Sequence, residues 1–71
     1  MDEKQIQVVR GYFSTSEAAY CVASPSSTGG VSKEKKTVDK QEALKALESA
    51  AKEAHLFYFD GEFLWLRVAG K

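Results

Sequence analysis

The fold of this chain is most tightly constrained by residues 55–68, where two strand-like apolar runs flank Asp60-Gly61. Asp-Gly between such runs is one of the strongest short-range signals for a β-hairpin. Five aromatic residues of the chain, among them its only Trp, lie in this stretch. The sequence therefore predicts an aromatic hairpin at the carboxyl-terminal end.

The register of this hairpin sets which side chains share a face of the sheet. A two-residue turn at Asp60-Gly61 would pair Phe59 with Glu62 and Tyr58 with Phe63. One face would then carry Phe57, Phe59, Leu64, Leu66 and Val68, and the other would carry Leu56, Tyr58, Phe63, Trp65 and Arg67. A three-residue loop with a Gly bulge would exchange the faces of the first strand relative to the second. In both cases the side chains of the second strand are divided between the two faces in the same way.

The size of the chain predicts one small domain, residues 1–71. With 71 residues, it buries only about 60% of the surface that its unfolded chain exposes. The single Cys cannot form an intrachain disulfide. The sequence also contains no group of Cys and His residues that could bind a structural metal. Small domains without such supports often depend on a partner, so we expect a homodimer or a complex with a larger protein.

A helix is predicted over 39–54. Asp39 and Glu42 have the spacing of a capping box. Apolar residues recur at helical spacing along one stripe, which consists of Ala43, Leu44, Leu47, Ala50, Ala51 and Ala54.

The amino-terminal half is predicted to supply two further strands. A strand over residues 5–13 would carry apolar side chains on both of its faces, which is typical of a central strand. After a break at 14–17, residues 18–24 suit a second strand. Ser14 and Glu17 also have capping-box spacing, so a short helix over 15–23 is the alternative. The segment 24–36, rich in Ser, Gly and Lys, is predicted to be a mobile loop.

These elements predict an α+β fold, a small antiparallel β-β-α-β-β sheet with one helix on one face. A helix is about 10 Å wide and strands lie about 4.8 Å apart, so one helix covers roughly two strands. We expect Leu64, Leu66 and Val68 under the helix. The opposite side of the hairpin then lacks a cover within this chain.

That uncovered side is the predicted partner-binding site, formed by Tyr58, Phe63, Trp65 and Arg67. Trp, Tyr and Arg are enriched among the residues that dominate binding energy at protein interfaces. An exposed apolar patch on a small domain is typical of a partner site. The alternative is that another segment of the chain folds over it as a second core.

A second candidate is the basic run of Lys33, Lys35, Lys36 and Lys40, which could contact phosphates or an acidic partner. Beside aromatic residues, it could serve single-stranded nucleic acid. Lys and Arg balance Asp and Glu at ten each, however, which disfavours nucleic acid as the principal partner.

No catalytic set emerges from the sequence. Cys21 and His55 could form a nucleophile and base, but no residue can be named to orient them. We predict no cofactor, no metal and no enzymatic activity. The expected function is a protein-binding module, such as a small inhibitor or adaptor. The polar amino terminus, the lone Cys and the absence of a long apolar run predict a cytoplasmic protein without membrane contact.

Overall fold

The computed structural model describes residues 1–14 and 16–68, which form one antiparallel sheet with a helix on each face. Its elements, in chain order, are α1 (Glu3–Arg10), β1 (Ala18–Pro25), β2 (Val31–Thr37), α2 (Lys40–Ser49), β3 (His55–Asp60) and β4 (Leu64–Val68). The strand order across the sheet is β2-β1-β3-β4. The predicted α+β class is confirmed. The predicted β-β-α-β-β order is formed by β1, β2, α2, β3 and β4.

The strand predicted over 5–13 is wrong, because this segment forms α1. Asp2 caps the helix: its side chain accepts a hydrogen bond from the Gln5 amide at 2.9 Å, and Gln5 Oε1 accepts from the Asp2 amide at 3.0 Å. This reciprocal capping box satisfies two amides at the start of the helix. The buried residues of this segment are Gln5 and Val9, four positions apart, which is the spacing of a helix. Val8 is exposed, whereas a central strand would bury Val8 and Val9 alike.

The predicted strand at 18–24 is confirmed as β1, which lies in the middle of the sheet. Ser14 and Glu17 form a turn instead of starting a helix. The Ser14 amide donates to Glu17 Oε1 at 2.9 Å, and the Glu17 amide donates to the Ser14 carbonyl at 3.1 Å.

The loop predicted over 24–36 is wrong for most of its length, because Val31–Thr37 is β2. Only a short turn connects β1 to β2, closed by a hydrogen bond from the Ser26 amide to the Gly30 carbonyl at 2.9 Å. Gly29 adopts φ +91°, a conformation that glycine accepts without steric cost. The lysine-rich composition is compatible with a strand here because β2 is at the edge of the sheet.

The helix predicted at 39–54 is present but shorter. Asp39 is its N-cap, as predicted, and accepts hydrogen bonds from the Gln41 and Glu42 amides at 2.8 and 3.4 Å. The helix ends at Ser49. Ala54 lies beyond this end but is buried in the same apolar cluster as Ala43, which explains why the apolar spacing seemed to continue.

The hairpin of β3 and β4 is confirmed, with its turn displaced by one residue. The Asp60 amide donates to the Phe63 carbonyl at 3.1 Å, so Gly61 and Glu62 are the central residues. Gly61 has φ +103°. Tyr58 pairs with Trp65, not with Phe63 as predicted, a shift of two residues that preserves the faces of residues 63–66. Val68 was predicted on the face of Phe57 but pairs with Leu56 beyond a bulge, so it lies on the opposite face.

The prediction that α2 covers Leu64, Leu66 and Val68 is wrong. The stripe of α2 instead packs on the face of Val22 and Leu56. The opposite face, with Phe57 and Phe59, is covered by Val9 and Phe13 from α1 and the residues after it. The helix at the amino terminus, which the sequence did not predict, thus covers the side assigned to α2.

Candidate protein-binding edge at strand β4

Strand β4 forms an edge of the sheet and carries large apolar side chains that remain exposed. We define the β4 surface as the exposed residues of this strand together with the preceding Phe63, namely Phe63, Trp65, Leu66, Arg67 and Val68. Phe63, Trp65 and Leu66 keep 58%, 51% and 55% of their accessible surface. Such exposure on both faces of an edge strand is unusual for a small domain and is typical of a partner site.

The helices leave this surface open because of where they lie. α2 packs over β1, β2 and β3, and α1 packs over β1 and β2. Trp65 pairs with Tyr58, which pairs with Tyr20, a residue of the α2 layer. Trp65 is therefore on the same face as α2 but beyond its reach, and the prediction that it lies on the face away from this helix is wrong.

The other edge of the sheet has a different character. β2 consists of Val-Ser-Lys-Glu-Lys-Lys-Thr, whereas β4 consists of Leu-Trp-Leu-Arg-Val. Lysines on an edge strand discourage pairing with a further strand, because they would bring like charges together or be stripped of water. The β2 edge is protected in this way, and the β4 edge carries a single charge.

Trp65 is held in place by the hairpin turn. Asp60 Oδ1 accepts hydrogen bonds from the amides of Glu62 and Phe63 at 2.8 and 2.7 Å, and Oδ2 accepts one from the Trp65 indole at 3.0 Å. The bonds from Phe63, Trp65 and Glu62 favour the charged carboxylate and lower the pKa of Asp60. The same carboxylate that closes the turn therefore fixes the orientation of an exposed indole.

The four residues predicted for partner binding are not equivalent. Trp65 and Phe63 are more than half exposed, and Arg67 is exposed as well. Tyr58 is only half-buried and its ring packs against Tyr20, with centroids 4.7 Å apart. Tyr58 therefore packs against its neighbour in the sheet and offers a partner less surface than Trp65 or Phe63 does.

Sequence reasoning missed the apolar residues on the α1 side of this edge. Ile6 and Leu66 line a small cleft together with Met1 and Phe57. Ile6 keeps 40% of its surface and extends the apolar area from β4 onto α1. The signal that could have found it was the Asp2–Gln5 capping-box spacing, which places Ile6 and Val9 on a helix.

The predicted basic run does not form one patch. Lys35 lies opposite Val22 on the α2 face, whereas Lys33 and Lys36 lie opposite Ala23 and Cys21 on the α1 face. Lys36 pairs with Glu17 at 2.8 Å. Lys36 also lies 5.4 Å from the ring centre of Phe13, as Lys33 lies 5.1 Å from that of Tyr12.

Lys40 stands apart from these three lysines. It is exposed at the first position of α2, outside the strand. Nucleic-acid binding through the four lysines stays a prediction.

Cys21, the only Cys of the chain, is not a reactive thiol in this fold. Cys21 is fully buried in the α1 layer, and burial raises its pKa to about 11, so it is a protonated thiol at neutral pH. In the described part of the chain, no three His, Cys, Asp or Glu side chains cluster where they could hold a metal ion. Within the same residues, neither helix has the length and apolar character that crossing a bilayer requires.

Comparisons with protein-family models, with curated proteins and with solved structures gave no match to the chain. Function is therefore inferred from the residues and geometry described above.

Proposed function

We propose that the chain is a non-enzymatic protein-binding module that acts as a small inhibitor or adaptor through the β4 surface. The observation that carries this proposal is the combination found on β4: an edge strand with exposed apolar side chains on both faces. In the described residues, no other strand lies beyond β4. A protein partner can therefore contact both the backbone and the side chains of β4.

The backbone contribution is strand addition. An extended segment of a partner can pair with the outer edge of β4, and main-chain hydrogen bonds then supply affinity while side-chain contacts supply specificity. Trp65 and Phe63 would meet the partner on one face, and Leu66 would meet it on the other. Because Asp60 already orients the indole, Trp65 loses little conformational freedom on binding.

The proposal is tested by affinity capture with purified, immobilised protein and the Trp65→Ala variant. Proteins retained by the wild type and lost from Trp65→Ala are the expected result, because truncating a central aromatic anchor typically costs 2 kcal/mol or more, about a 30-fold loss of affinity. Val38→Ala is the matched control. Val38 is 76% exposed and apolar but lies between β2 and α2, away from β4.

Two outcomes would contradict the proposal. Equal retention by wild type and Trp65→Ala would show that the β4 surface takes no part in binding. Loss of the same proteins from Val38→Ala would show that general surface hydrophobicity is responsible. Circular dichroism of each variant establishes that the fold is intact before the comparison is made.

A further inference from the structure

The geometry points to a specific occupant of the β4 edge: the same strand of a second copy, running antiparallel, with the two-fold axis at Trp65. The two four-stranded sheets would join into one eight-stranded sheet. This inference rests on the proposed function and names its partner. It follows from the backbone directions of β4, from the position of a bulge and from the charge of the strand.

The backbone directions come from the hairpin. The Phe63 carbonyl accepts from the Asp60 amide, so Phe63 directs its backbone groups toward β3. In an antiparallel ladder these directions alternate along the strand. Leu64 and Leu66 therefore direct their amide and carbonyl groups outward, and Trp65 directs its own toward β3. A second copy can form hydrogen bonds only with Leu64 and Leu66 of the regular part of β4.

The bulge in β4 selects the register. Phe57 pairs with Leu66 and Leu56 with Val68, so Arg67 is an extra residue that interrupts the ladder. The regular segment is thus 64–66, and its centre is Trp65. A two-fold axis at Trp65 pairs Leu64 with the second copy's Leu66 and the reverse. An axis at Leu66 would instead rely on residues 67 and 68 beyond the irregularity.

The side chains agree with this register. Trp65 lies opposite the second copy's Trp65 on the α2 side of the sheet. Leu64 lies opposite the second copy's Leu66 on the α1 side. Arg67, the only charged residue of β4, falls beside the second copy's Phe63. No like charges oppose each other, and an Arg over an aromatic ring is favourable. The lysine-bearing β2 edge lacks this self-complementarity, because Lys33, Lys35 and Lys36 would approach one another.

The expected dimer is weak and reversible. Five residues of strand extend about 17 Å. An edge of this length buries less than the roughly 800 Å² per partner of a standard stable interface. Light scattering coupled to size-exclusion chromatography of the wild type should therefore show an average mass that rises from monomer toward dimer with concentration.

Cysteine cross-linking of the purified protein tests the register. In the proposed dimer, Leu64 and the second copy's Leu66 are a hydrogen-bonded pair with Cα atoms about 5.5 Å apart, so cysteines at these two positions probe the register with Trp65 intact. This separation lies within the roughly 4.4–6.8 Å that a disulfide spans. Two Leu66 residues would be diagonal neighbours at about 7–8 Å, which is too far. Buried Cys21 does not compete, as its thiol is inaccessible.

Under mild oxidation with diamide, an equal mixture of Leu64→Cys and Leu66→Cys should form a covalent dimer at least about tenfold faster than Val38→Cys, the random-collision control. Leu66→Cys alone should react no faster than that control. Two results would overturn the inference: a wild type that stays monomeric at all concentrations with no acceleration in the mixture, or faster cross-linking of Leu66→Cys alone than of the mixture. A foreign partner captured through Trp65 by a strictly monomeric chain would leave the proposed function standing and refute this pairing.

Discussion

The indole Nε1 of Trp65 donates a hydrogen bond to Asp60 Oδ2 at 3.0 Å at the turn of the β3–β4 hairpin. Asp60 is the first residue of the turn, so one carboxylate links the turn to the exposed aromatic side chain. Trp65 is the only Trp in the chain. Its fluorescence therefore reports on this interaction directly.

Replacing Asp60 with Asn should release the indole while keeping the turn. The Asn carbonyl oxygen can still accept from the amides of Glu62 and Phe63, but its NH₂ group would face the indole N–H, and two donors cannot bond. We expect the steady-state fluorescence anisotropy of Trp65 to fall. Glu62→Gln is the control, because the Glu62 side chain forms no part of this network. An unchanged anisotropy in Asp60→Asn would show that packing, not the hydrogen bond, holds the indole.

Protonation of Asp60 at low pH should produce the same release. The amide of Phe63, the indole of Trp65 and the amide of Glu62 hold the pKa of Asp60 below the ordinary aspartate value of 3.8. A folded-state pKa below the unfolded one stabilises the fold above the unfolded pKa, and this contribution is lost as pH falls through the folded pKa. We expect a fluorescence transition of native protein below pH 3.8 that is missing from Asp60→Asn. A transition that persists in Asp60→Asn would belong to another carboxylate.

Truncation should separate the exposed aromatic face from the core beneath the sheet. Trp65→Ala removes a side chain that is 51% exposed, so the free energy of unfolding should fall by about 1 kcal/mol or less. Phe57→Ala removes a ring that is 2% exposed and should cost about 3–5 kcal/mol. Urea unfolding followed by far-ultraviolet circular dichroism measures both. Trp65→Ala that unfolds as readily as Phe57→Ala would make Trp65 a core residue and remove the basis for a binding site there.

The features that the sequence predicted well are those encoded by neighbouring residues. Asp39 as N-cap, the β1 strand and the hairpin at Asp60-Gly61 depend on local hydrogen bonds or local alternation. The predicted faces of residues 63–66 are also correct, because the turn shifted the register by two residues and not by one. Val68 is on the other face, because the bulge at Arg67 has no signal in the sequence.

The errors arose where the outcome depends on distant contacts. The β-branched residues Val8 and Val9 favour a strand, yet the Asp2 cap and the burial of Val9 under the sheet make the segment a helix. The lysines of β2 suit an edge strand, but a sequence does not show where the edge lies. Once α1 was missing from the prediction, α2 was assigned to the wrong side of the hairpin.

The neighbouring pair Val8 and Val9 provides the sharpest test of this correction. A central strand would bury both residues on opposite faces, so Val→Ala would be costly at each. In α1, Val9 is fully buried and Val8 is 45% exposed. We expect Val9→Ala to lower the free energy of unfolding by about 2 kcal/mol, from two lost methyl groups and a small cavity. Val8→Ala should be neutral or slightly stabilising, since Ala has the higher helix propensity. Comparable losses at both positions in urea unfolding would contradict the helix.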